Sequence, residues 1–242
     1  MRVVFGSTDP GLTRSSNQDG FACERISDNM AYGVLCDGMG GENGGGIASA
    51  VAVEFAAQML RRDLKEDMGE LSLRSVLSSA IAGANALVYE KGQADPELTG
   101  MGTTIILAVL LGSTLYIAYV GDSRVYRLNG AEERQLTRDH TVVQMLVDIG
   151  EITPEDAKTH PKRHYITRAV GVSPEVEPDF IVEALEEGSI ILLCSDGLYQ
   201  YMEPGLTQPL IQECMAAQSA DPLIQFANRQ GGSDNITAIV MA

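Results

Sequence analysis

Five aspartates are set apart by their neighbours. Asp19, Asp37 and Asp196 are each followed by glycine, Asp122 is preceded by one, and Asp234 follows Gly231-Gly232-Ser233. Each lies where an apolar, strand-like run starts or stops. One Asp-Gly pair is an ordinary turn signal. Several such acids packed at one sheet end would repel each other and would have to take up protons or bind cations. A donor set made only of oxygen suits hard ions such as Mg2+ or Mn2+. Six glycines among the nine residues Gly38–Gly46 leave the backbone after Asp37 bare. A carbonyl there can join a coordination shell, and a bulky group can approach. Histidine offers no rival site, because His140, His160 and His164 are too few and too clustered for a histidine-rich zinc centre. None of Cys23, Cys36, Cys194 and Cys214 forms a C-x-x-C pair; they read as inert thiols in a reducing compartment.

Hairpins must position these acids. Asp19 and Asp37 lie nine residues either side of Asp28, the middle of the turn Ser27-Asp28-Asn29. Pairing of Phe21–Arg25 with Ala31–Cys36 would bring the two carboxylates side by side. A second hairpin, Thr103–Leu111 with Thr114–Val120 around Gly112-Ser113, sets Asp122 beside Thr103 and Thr104, which are expected to buttress it. Ser123–Leu128 and Glu132–Leu136 flank Asn129-Gly130, a strong turn signal. Further strands are expected at Val3-Val4-Phe5, Pro178–Ala184, Ile190–Cys194 and Ile236–Met241, the run Ile190–Cys194 being buried on both faces. Ile47, Val51, Phe55 and Met59 recur every four residues, and Leu73, Val76, Leu77, Ala80, Ala84, Leu87 and Val88 share one helical face. Other helical patterns lie in Asp139–Lys158 and near Gly205–Gln218 and Pro222–Gln230. Antiparallel strand runs with paired helices predict an α+β fold in which helices cover antiparallel sheets.

The 242 residues suit one domain, 1–242, with no internal repeat or linker. No run of 18 apolar residues predicts a membrane span, and Met1–Gly11 lacks an apolar stretch of signal-peptide length. A soluble, cytoplasmic protein is expected. With 17 basic and 33 acidic residues the net charge is −16, which repels nucleic acid and anionic lipid, so neither is expected as a partner. No feature requires an oligomer, and a monomer is expected. No cysteine is followed six residues later by arginine, and no G-x-x-x-x-G-K occurs. A cysteine-phosphatase loop and an NTPase phosphate loop are thereby excluded.

The segments "RSSNQDG", "CDGMGGENGGGIAS", "GMGTT", "YVGDSRVYRL", "DHT", "HPKRHYITRAVG", "LLCSDGL" and "GGSDNIT" occur in that order. The set resembles the metal-dependent serine/threonine protein phosphatases, the PPM or type-2C family, in their compact bacterial form. The resemblance covers nearly the whole chain. It implies a four-layer αββα sandwich with a Mn2+/Mg2+ pair in a cleft at one end, possessing a third, weaker ion in bacterial members. It further implies that Asp37 bridges both metals, that the Gly38 carbonyl binds the second, and that Asp196 and Asp234 bind the first. Asp122 matches the acid that shares the third ion with Asp196, and Asp19 the acid that hydrogen-bonds metal-bound water. Arg14, five residues before Asp19, matches an arginine for the substrate phosphate. Phosphorylated proteins are the implied substrates and a serine/threonine kinase the implied opposing partner. His140 and His160 fall in or near a flap over 140–170. This chain departs from the pattern at Met39 and Glu42, where family members carry a histidine, at Gly46 in place of a glutamate, and at His164 in place of an asparagine. Gly46 predicts a looser loop before the first helix. Glu42 and metal-bound water are the two candidate proton donors to the leaving group.

Overall fold

The computed structural model describes residues 2–130, 132–203 and 207–242, excepting the side chains of Glu42 and Asn43. The chain opens with strands β1 (Val4–Asp9), β2 (Asp19–Arg25) and β3 (Met30–Met39), then helices α1 (Gly41–Asp63) and α2 (Glu70–Ala94). A 3-10 turn at Pro96–Leu98 leads to β4 (Gly102–Thr103), β5 (Ile105–Leu111), β6 (Thr114–Val120), β7 (Arg124–Asn129) and β8 (Glu132–Gln135). Two short helices, α3 (Val142–Asp148) and α4 (Pro154–Thr159), precede β9 (Asp179–Ala184) and β10 (Ile190–Cys194). The last elements are α5 (Asp196–Tyr199), α6 (Thr207–Ala217), α7 (Asp221–Arg229) and β11 (Ile236–Met241).

One antiparallel sheet runs β1-β11-β10-β7-β8; the other runs β2-β3-β5-β6-β9, with β4 paired to the end of β3. Strand alternation sorts their side chains into layers. In β5, Ile106, Ala108 and Leu110 point to the other sheet, meeting Val125, Ile191, Leu193 and Ile239. Ile105, Leu107 and Val109 point the opposite way, into the core shared with α1 and α2. In β10, Leu192 and Cys194 face away from the sandwich into a core with Leu210, Ile211, Leu223 and Phe226 of α6 and α7. The expected four-layer αββα sandwich is therefore observed. By length and composition α2 is apolar enough to cross a membrane, but here its Leu73, Leu77, Ala80, Ile81, Ala84 and Val88 lie in the core beneath the sheet.

The first hairpin has the expected register, with Asp19 opposite Asp37. In the second, Ile105 pairs with Val120, so Gly121-Asp122 continue past the strand end. In the third, Asn129 still pairs with Glu132, one residue further along the strand than the Asn-Gly signal implied. The helix expected near Gly205–Gln218 is seen as α6 from Thr207; Gly205 and Leu206 lie outside the described residues.

Both helical stripes need correction. On α1 the fully buried line is Ala48, Ala52, Ala56 and Leu60, with Ile47, Val51, Phe55 and Met59 only partly buried beside it. Small alanines let the helix lie close to the sheet, while Phe55 reaches α2, packing where a Cβ on Gly83 would come within 2.3 Å of its ring. On α2, Leu87 is exposed and Asn85 is buried in its place.

The glycine run is also not a loose loop. Helix α1 begins at Gly41 and contains Gly44, Gly45 and Gly46. Each glycine in a helix costs about 1 kcal/mol relative to alanine, so contact must compensate. A Cβ on Gly38 would lie 2.1 Å from the Gly45 carbonyl oxygen, and one on Gly45 would lie 2.7 Å from the Gly38 carbonyl carbon. The helix start therefore rests bare backbone against bare backbone on the end of β3.

Candidate metal centre

Antiparallel pairing gathers the five acids. The start of β2 and the ends of β3 and β6 bring Asp19, Asp37 and Asp122 to one end of their sheet. The end of β10 and the start of β11 bring Asp196 and Asp234 to the same end of the other. Asp37, Asp122, Asp196 and Asp234 line a cleft of about 950 Å3, together with Arg14, Gly38, Met39, Arg163 and His164.

Asp37 sits at the centre of this charge. Burial raises its pKa well above the carboxylate range, and the charges of Asp19, Asp196, Asp122 and Asp234 raise it further. Its backbone is fixed on both sides: its N–H donates to Thr104 Oγ1 at 2.9 Å, and its carbonyl accepts from Thr104 N at 2.8 Å and Thr103 Oγ1 at 2.9 Å. The threonines expected to buttress Asp122 thus buttress Asp37 directly. Thr104 Oγ1 also meets Ser123 Oγ at 2.8 Å, next to Asp122.

Asp19 lies beneath the cleft. Its Oδ2 accepts from Ser195 Oγ and Thr237 Oγ1, each at 2.7 Å. Two such bonds, worth about 1 kcal/mol each, do not outweigh burial, and the carboxyl still rises to about 6. Its Oδ1 is buried with no hydrogen-bond partner. Asp196, the first residue of α5, is pushed up to about 8 by burial and then by Asp122, Asp234 and Asp19. Burial, reinforced by Asp139, raises Asp122 to about 6. Asp234 accepts from Arg14 Nη2 at 2.8 Å, in an exposed ion pair.

Sequence reasoning missed the residues that hold these acids. Asn235 accepts from Gln18 N and donates to Pro10 O and Ser16 O, pinning the loop that carries Arg14. Ser195 and Thr237 lie inside the quoted segments, yet an isolated hydroxyl gives no sign of its partner across the fold. Arg124 holds Asp139 through both of its oxygens and stacks 3.7 Å over the Tyr199 ring, tying β7 to α5. Arg163 lines the cleft beside His164. His140 is buried and accepts from Gly121 N, whereas His160 only caps a local turn by accepting from Lys162 N. Cys36 and Cys194 are buried, and burial raises both thiols, as expected of inert core residues. Glu42's side chain lies outside the described residues.

Among the described residues, no three acid, histidine or cysteine side chains already converge as a finished ligand set. Asp234 is turned to Arg14, and Asp19 to two hydroxyls. The donor chemistry nevertheless fits hard divalent cations. Every candidate donor is oxygen, the unpartnered Asp19 Oδ1 lies buried among them, and their mutual repulsion calls for positive charge.

Residues 13–240 match the family described as protein phosphatase 2C. The serine/threonine phosphatase stp of Listeria monocytogenes is 36% identical over 238 residues, covering 97% of this chain and 93% of that protein. The solved serine/threonine phosphatase of S. agalactiae superposes with a TM-score of 0.91 at 33% identity, covering 100% of this chain and 99% of that one. The catalytic domain of the serine/threonine protein phosphatase PstP, solved in complex with two manganese ions, has a TM-score of 0.82 at 34% identity, covering 99% and 97%. With the sandwich, the acid cleft and these matches together, the chain belongs to the protein phosphatase 2C family.

Proposed function

We propose that this chain hydrolyses phosphoserine and phosphothreonine in proteins, with water as the attacking group and two Mn2+ or Mg2+ ions as cofactors. The observation that carries this reading is the meeting of four aspartates from separate parts of the chain at one cleft, with Asp19 beneath them, each of Asp19, Asp37, Asp122 and Asp196 raised by burial. Bound at these oxygens, the ions supply Lewis acidity that polarises water for attack and offsets charge on phosphoryl oxygens.

The roles divide by position. Asp37, central among the acids, would hold the two ions together with the Gly38 carbonyl, Asp196 and Asp234, and Asp122 with Asp196 would hold a weaker third. Asp19 orients water from below through its free Oδ1. Arg14, whose guanidinium reaches the cleft rim, takes two phosphate oxygens at once and exchanges its contact with Asp234 for the substrate. Asn235 keeps Arg14's loop in place for that task. Met39 cannot give a proton, so the departing serine or threonine oxygen takes one from Glu42 or from water. The segment 140–170 is a flap beside the cleft, with Arg163 and His164 on its inner side. The chain acts as a monomer in the cytoplasm and reverses a serine/threonine kinase.

Turnover of p-nitrophenyl phosphate and of a phosphothreonine peptide, with Mn2+ and with EDTA, tests the reading. Activity with Mn2+ that EDTA abolishes is expected. Absence of activity with Mn2+ overturns it, and preference for small phosphate metabolites over peptides assigns a different substrate.

A further inference from the structure

His140 belongs to none of the roles above, yet it grips the turn that carries Asp122. Its backbone N donates to Gly121 O at 3.0 Å, and its ring Nδ1 accepts from Gly121 N at 3.0 Å. Both backbone polar groups of Gly121 are therefore satisfied by one residue. Gly121 has φ 110°, and a Cβ there would fall 2.5 Å from Thr104 Cγ2. Glycine takes this conformation readily but is also the residue freest to leave it, so contacts from its neighbours fix the turn. The His140 carbonyl accepts from Thr167 N at 2.7 Å, and Thr141 bridges Ile166. The same residue is thus joined to the returning arm of segment 140–170.

The ring is fixed as well. It is 5% exposed and stacks on Tyr119, with centroids 5.1 Å apart and planes 13° apart. Because Nδ1 accepts, the neutral ring carries its proton on Nε2. Nε2 faces Asp179 Oδ2 at 3.4 Å, and Asp179 is paired with Arg168 at 2.7 Å.

We propose that His140 is a positioning residue that sets Asp122 through Gly121 and couples that turn to segment 140–170. The inference rests on the reading of Asp122 as the acid of the weaker cation position. Asparagine and glutamine separate it from simple packing. Both remove the ring stacked on Tyr119. Asparagine places an acceptor at the same bond distance from the backbone as Nδ1, whereas glutamine carries its acceptor one bond further out.

The experiment is calorimetric titration of the full chain with Mn2+, comparing wild type, H140N, H140Q and Asp122→Ala. Loss of a support behind a metal ligand weakens affinity by about tenfold or more. H140Q is expected to weaken the weaker site by about tenfold and to leave the tighter sites unchanged, with H140N close to wild type. Equal impairment of H140N and H140Q, or loss of every site in H140Q, means the ring only packs and overturns the proposal. H140Q behaving as wild type while Asp122→Ala loses the weak site overturns the proposal alone. Asp122→Ala without effect overturns the reading of Asp122 and the proposal with it. Should H140Q not fold, hydrogen exchange at the Gly121 amide decides. Protection in wild type and H140N supports the bond to residue 140, and rapid exchange in wild type overturns it.

Discussion

The carboxyls of Asp37 and Asp196 resist ionisation because they are buried and, beyond that, because they lie among other acids. Replacing either by asparagine keeps the shape and removes the ionisable group. Asp37→Asn or Asp196→Asn is expected to lower phosphopeptide turnover by about 10³-fold, the scale on which placed electrostatic groups act, while the cation-free protein melts at a higher temperature. Steady-state kinetics with scanning calorimetry checks both halves, and a wild-type rate in either variant removes that residue from the mechanism. Thr104→Val probes the support beneath. It leaves the Asp37 N–H without its 2.9 Å acceptor, at a cost of about 1–3 kcal/mol visible in urea denaturation. The acids were legible in the sequence because each stands beside or just after glycine where an apolar run starts or stops. Ser195, Thr237 and Asn235 were not, because their partners lie up to 225 residues away.

Elements were legible wherever period and turn agree. The last strand falls where the sequence sets it, and the first hairpin keeps its symmetry about Asp28. The start of α1 was hidden, because glycine runs signal loops and only the backbone of β3 shows why this one is helical. The stripe on α1 was misread by one residue because alanine adds little apolar signal although it marks the closest approach. Gly45→Ala decides between these local and long-range demands. Helix propensity alone would stabilise by about 1 kcal/mol. The Cβ would instead press on Gly38 at 2.7 Å, and overpacking of this kind costs about 1–3 kcal/mol. Net destabilisation in denaturant titration is expected, together with loss of activity as the end of β3 shifts.

At the scale of the molecule, the acid cleft gives the cation-free protein an unusual response to pH. Asp19 and Asp122 near 6 and Asp196 near 8 hold protons more tightly folded than unfolded. Their contribution is fully present below about pH 4, the unfolded carboxylate range, and is lost as pH rises through 6 to 8. The carboxylates with lowered values, Glu24, Asp63, Asp148, Asp156 and Asp179, act in the opposite sense but below that window. In EDTA the melting temperature is therefore expected to fall between pH 5 and 8, and Mn2+ to restore it at pH 8; a flat profile contradicts the crowding. The sheet order carries a further consequence. Strand β11, the last in chain order, is inserted between β1 and β10 rather than added at an edge. During synthesis, β1 must wait for more than two hundred residues before its neighbour emerges from the ribosome. A polypeptide halted before Ile236 leaves two strand edges facing a gap, and should be recovered as aggregate or cleared by proteases rather than as a weakened enzyme.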